Sequence, residues 1–157
     1  MFSVSEIIDL AIQIENNGES IYRSASEKVS QRQLASLLQW LADQEVEHSH
    51  WFVALKGKVK KSVANEALEE MAQNVLRGIL SDQTFSLKDA DFSKIEDVEA
   101  LLNLAIEFEK DSILFYEMLA ALVDDEETLG QLKMIIEEES RHVKVLQESL
   151  GRPRIEP

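Results

Sequence analysis

The chain has 157 residues, 45% of them hydrophobic, with 30 acidic against 16 basic side chains and a formal charge of -14. Cysteine is absent, which excludes disulfides, zinc ribbons, thiolate-held iron and cysteine nucleophiles, so any metal must be held by oxygen and nitrogen. The acidic balance disfavours nucleic acid and anionic membranes as partners, and only five glycines and two prolines punctuate the chain, which predicts an all-α fold.

The start, Met1 to Glu6, lacks the basic residues and apolar run of a signal peptide. No apolar stretch approaches the ~20 residues that span a bilayer, so the expectation is a cytoplasmic protein with one domain over residues 1–157. Helix 1 is expected over about 4–28, opened by a Ser3–Glu6 capping box. Ile8, Ala11, Glu15, Gly18, Tyr22, Ala25 and Val29 follow one another in steps of three and four, which keeps them on one face. Ser30 is expected to open helix 2, over about 31–56, and Gly57 to stop it. Its seam is Leu34, Leu38, Leu41, Glu45, His48, Phe52 and Leu55, a carboxylate and an imidazole in an otherwise apolar line. The link is so short that the two helices should lie antiparallel.

Residues 57–95 differ in character, with a basic patch (Lys56, Lys58, Lys60, Lys61) and an amphipathic helix expected over about 62–80. They read as a long crossover. Helix 3, about 96–123, has the seam Leu102, Ala105, Glu109, Ser112, Tyr116, Leu119 and Val123. Helix 4, about 125–150, follows the acidic run Asp124 to Glu127, which suits the positive end of a helix dipole. Its seam is Thr128, Leu132, Ile135, Glu139, His142, Leu146 and Ser149, and residues 151–157 form a tail. Every position of the second pair of seams is the first plus 94. The chain reads as a duplicated helical hairpin.

Bringing the four seams together places Glu15, Glu45, His48, Glu109, Glu139 and His142 in one layer of a bundle interior. Burying one unpaired carboxylate costs several kcal/mol, and no Lys or Arg falls on any seam to offset four of them. Two divalent cations would balance that charge. Ligation by oxygen and imidazole without sulfur suits iron, or manganese, better than a closed zinc site. One Glu from each of two helices plus Glu-x-x-His from each of the other two is the ligand set of ferritin-like dinuclear bundles.

The segments 11–22 and 105–116 are similar to the first and third helices of the rubrerythrin branch of the ferritin-like superfamily, and 41–48 and 135–142 resemble its second and fourth. The resemblance implies a four-helix bundle with a long crossover between helices 2 and 3, two iron ions, and reduction of peroxide or dioxygen with electrons from an external donor. Ferroxidase-type iron binding or storage is the alternative it allows, and a bundle with a vestigial ligand set the weaker third. Rubrerythrin proper carries a cysteine-ligated rubredoxin domain and an extra glutamate one turn after the third-helix ligand. This chain has no cysteine and has Ser112 at that place, which implies a more symmetric site.

Tyr22 and Tyr116 lie two turns from Glu15 and Glu109 on the same faces and are expected to be core aromatics whose hydroxyls reach a partner, with the ligands as candidates. His50, Glu47, Glu107, Glu137 and Glu138 are expected on solvated faces, and Trp40 and Trp51 beside the seam. Apolar residues on a second side of helix 1 (Ile7, Leu10, Ile12, Ile14) suit an oligomer, a homodimer being the simplest.

Overall fold

A computed structural model describes residues 4–58 and 95–151. They form four helices: α1 (Val4–Lys28), α2 (Arg32–Lys58), α3 (Ile95–Ala121) and α4 (Glu126–Gly151), with no strand among the described residues. The Ser3 cap, Lys60 and Lys61, the helix expected over 62–80 and residues 152–157 lie outside the described residues.

The helix ends show which local signals prevailed. α2 starts after Gln31, whose carbonyl accepts from Ala35 N at 2.9 Å, one residue later than the serine expected to open it. It also continues through Gly57 to Lys58. No glycine among the described residues has a positive φ, so Gly57 does not turn the chain out of the helix. α3 stops at Ala121, short of Val123, as the amides of Leu122 and Val123 close tight turns onto the carbonyls of Leu119 and Ala120. α4 is capped by Asp125. Its carbonyl accepts from Leu129 N, and its carboxylate accepts from Thr128 N at 2.9 Å and Thr128 Oγ1 at 2.6 Å. Those bonds hold the Asp125 carboxyl below its usual pKa.

α1 packs chiefly on α2 and α3 on α4. One apolar cluster joins Ile7, Ile8 and Ile14 of α1, Phe52 and Leu55 of α2, Phe115 and Leu119 of α3, and Leu132 and Ile135 of α4. The other joins Ala25 and Val29, Leu34 and Leu38, Leu101 and Leu102, and Leu146. The start of α1, the end of α2, the end of α3 and the start of α4 thus share one end of the bundle. The order is up, down, down, up, and the end of α2 and the start of α3 lie at opposite ends. The exposed Lys56–Asp9 pair at 2.6 Å accords with the antiparallel register of the first hairpin, which the buried apolar residues set.

Ile7 and Ile14 are buried, and Leu10 and Ile12 pack against the same core. The second apolar side of α1, which suggested an oligomer, is covered within the chain at Ile7 and Ile14 and in part at Leu10 and Ile12. No described helix is long and apolar enough to cross a membrane.

Candidate metal centre

Between the two apolar clusters lies one polar layer. Glu15 on α1, Glu45 and His48 on α2, Glu109 on α3, and Glu139 and His142 on α4 are all buried, none more than 3% exposed. The alternation of three and four residues that places leucine in the core places these six there too. No Lys or Arg is buried among the described residues.

The six fall into two overlapping sets. Glu15, Glu45, His48 and Glu139 offer one ligand atom each within 4.8 Å of one another, and so do Glu45, Glu109, Glu139 and His142. Glu45 and Glu139 belong to both. His48 Nδ1 is 2.7 Å from Glu139 Oε1 and 3.5 Å from Glu15 Oε1, while His142 Nδ1 is 3.4 Å from Glu139 Oε2 and 3.8 Å from Glu109 Oε1. The two imidazoles lie nearly parallel, their centroids 6.0 Å apart and their planes 21° from parallel. In both rings Nδ1 is the nitrogen that faces the carboxylates of this buried layer.

Short distances here do not mean satisfied atoms. Glu15 Oε2, Glu45 Oε1, His48 Nδ1, Glu109 Oε2, both Glu139 oxygens and His142 Nδ1 are buried without a hydrogen bond. The close approach of His48 Nδ1 to Glu139 Oε1 is not aligned along a donor–acceptor direction. Buried polar atoms are rarely left so, and seven of them in one layer, carried by carboxylates and imidazoles, match the donor set of a pair of divalent cations.

With protons as the only cations, the layer shares them. Burial pushes Glu109 up to about 8, helped by the charge of Glu139, and burial with the charges of Glu139 and Glu15 pushes Glu45 well up. Burial alone would lower His48, but contact with Glu139 and Glu15 outweighs it and raises the imidazole to about 11. The same opposition raises His142 to about 9, through Glu109 and Glu139. For Glu139 burial and Glu15 push upward, yet Glu109 and both histidines bring it below its ordinary value.

Tyr22 donates to Glu109 Oε1 at 2.7 Å and Tyr116 to Glu15 Oε1 at 2.5 Å, each to a carboxylate of the other hairpin. Burial, then neighbouring carboxylates, raises both phenols, so they remain donors. The expected hydroxyl partners are the site's own carboxylates. Ser112 is buried and its hydroxyl bonds the Phe108 carbonyl at 2.9 Å, back along its own helix. At the matching place in α1, a carbon added to Gly18 would stand 3.1 Å from Glu45 Oε2, so the absence of a side chain makes room for that carboxylate.

His50, Glu47, Glu107 and Glu137 are exposed, as expected from their place off the seam. Glu138 is not simply solvated: its carboxylate is 34% exposed and its Oε2 lies 2.6 Å from His48 Nε2. A solvated face was the wrong reading because α2 crosses close enough to α4 for a residue beside the seam to reach behind the imidazole. Trp40, 44% exposed, sets its ring against His142 in an edge contact at 5.3 Å. Trp51 donates to Gln131 Oε1 at 3.0 Å and touches Phe52.

Two hairpins in this order, with Glu and Glu-x-x-His converging on a buried layer, define a ferritin-like carboxylate bundle. A solved structure of a Thermotoga maritima protein, provisionally described as ferritin-like and diiron-carboxylate, is similar to this chain. The TM-score is 0.74 and the identity 25%, over 94% of this chain and 93% of that one. The rubrerythrin family model matches residues 6–150, and the chain belongs to that family. No curated protein matches it.

Proposed function

We propose that this chain is a rubrerythrin-type oxidoreductase holding two iron ions, which reduces peroxide, or dioxygen, with electrons from an external donor. The observation that carries the reading is the pair of overlapping buried ligand sets that share Glu45 and Glu139. Glu15 and His48 would hold one ion, Glu109 and His142 the other, with Glu45 and Glu139 between them. Manganese would suit the same donors. Bound ferrous iron would supply one electron per ion, which with two protons takes peroxide to two waters.

The chain's own contribution is placement. Tyr22 and Tyr116 orient the outer carboxylates through Glu109 Oε1 and Glu15 Oε1. The apolar clusters on both sides keep bulk water from the layer. With no cysteine in these residues for a rubredoxin iron, reduction between turnovers falls to a donor outside residues 1–157.

Metal analysis of protein purified without oxygen should find two irons per chain. Rapid mixing of the reduced protein with peroxide and, separately, with dioxygen should show the faster reaction with peroxide. Preference for dioxygen, with added ferrous iron consumed beyond the bound pair, would instead favour ferroxidase-type storage. Purification from iron-supplemented cells with no bound metal would sink both readings.

A further inference from the structure

The two halves repeat in the residues that face the centre of the site but not in those behind the imidazoles. His48 Nε2 lies 2.6 Å from the Glu138 carboxylate, contributed by α4. The offset of 94 assigns the matching position in α2 to Gln44, a neutral amide. His142 meets the edge of the Trp40 ring, with the planes 76° apart, and the counterpart of Trp40 is Met134. One imidazole is backed by an anion and the other by an indole.

A carboxylate behind an imidazole fixes the proton on the nitrogen it contacts, holds the ring against rotation, and makes the opposite nitrogen a stronger donor. With Nε2–H given to Glu138, Nδ1 of His48, which faces Glu15 and Glu139, is the nitrogen left to offer a lone pair to a cation once its own proton leaves. The edge of Trp40 can restrict the His142 ring but brings no charge to it. We propose that Glu138 is a positioning residue that makes the two metal positions inequivalent, so that the position of Glu15 and His48 fills first and that of Glu109 and His142 second. The inference rests on the dinuclear reading and goes beyond it, because the inner ligands alone repeat symmetrically.

The test is calorimetric titration of the metal-free protein with cobalt(II) in the native chain and in Glu138→Gln, Glu137→Gln and Gln44→Glu. The native protein should bind two ions in separable steps. Glu138→Gln should weaken the tighter step about 10–100-fold and leave the weaker one in place. Glu137→Gln removes the same charge from the exposed neighbouring position and should change neither. Gln44→Glu should tighten the weaker step and bring the two together. A native chain that binds no cation defeats the dinuclear reading itself. Two bound ions whose steps ignore Glu138→Gln, or weaken alike, overturn the inequivalence and leave that reading standing. Melting curves report whether each variant folds; if Glu138→Gln does not, a weaker step that Gln44→Glu fails to tighten overturns the proposal.

Discussion

Tyr22 of the first hairpin donates to Glu109 of the second at 2.7 Å, and the bond is returned by Tyr116 to Glu15. α1 touches α3 only sparsely, and these buried bonds are polar ties between the halves. Tyr22→Phe and Tyr116→Phe each leave a buried carboxylate oxygen without its donor, a cost of about 1–3 kcal/mol. Each should lower the melting temperature of the metal-free protein. Both should still bind cations, because every proposed ligand remains. An unchanged melting temperature would show that the bonds do not hold the halves together.

The raised pKa values set the direction in which pH acts. His48 at about 11 and His142 at about 9 bind their protons more tightly folded than unfolded. Their stabilisation is fully present below the ordinary value of 6.5 and is lost as pH rises through those values. Glu109, raised from 4.5 to about 8, and Glu45, also raised, act in the same direction from lower pH. Glu139 and Asp125, both lowered, act in the opposite direction, but below the interval from pH 6 to 9. The metal-free protein should therefore melt at a lower temperature near pH 9 than near pH 6, by differential scanning fluorimetry in chelator. A melting temperature that climbs over that interval would contradict this balance of groups.

The same protons must leave before a cation enters, so binding should release protons and tighten as pH rises, about tenfold per unit for each proton displaced. Calorimetry in two buffers of different ionisation heat counts the protons released. A heat independent of buffer would mean that the layer is already deprotonated.

The fold and the six inner residues were legible because a repeat of 94 places each of them twice, at spacings only a helix puts on one face. What lay behind them was not. A single-helix pattern gives the face a residue occupies but not which neighbouring helix passes over it. Glu138 precedes Glu139 and looks like another surface acid until α2 brings His48 beside it. Trp40 likewise shows its contact with His142 only once α2 and α4 are side by side. Helix ends were blurred for a local reason: Gly57 stops a helix only where it turns to positive φ, and here it does not.

Glu45 separates stability from binding. Without metal it is a buried carboxylate pushed up by burial and by three neighbours of like charge. Glu45→Gln keeps the shape and removes the charge, so the metal-free protein should melt higher at pH 8 or above. The same change removes one of the two carboxylates shared by both ligand sets. Saturating divalent metal, at ~100 times its dissociation constant, stabilises a native chain by ~2.7 kcal/mol, and that increment should be absent in Glu45→Gln. A variant stabilised by metal as strongly as the native chain would remove Glu45 from the site.

Gly18 tests whether room for that carboxylate matters. An added carbon would lie 3.1 Å from both Glu45 Oε2 and Phe108 Cε1, so one of them must shift by a few tenths of an ångström. Alanine gains about 1 kcal/mol over glycine in a helix interior, which offsets the crowding. Gly18→Ala should therefore change the stability of the metal-free protein by less than ~1 kcal/mol. Gly130→Ala, with nothing within 4 Å of the added carbon, should gain the helical preference in full. Binding should divide the two: ligand placement tolerates ~0.5 Å and a shift of the Glu45 carboxylate takes up much of that, so Gly18→Ala should weaken cobalt(II) binding while Gly130→Ala keeps it. Equal affinities in the two variants would mean that Glu45 moves freely, and that the small residue at position 18 serves only the packing of α1 on α2.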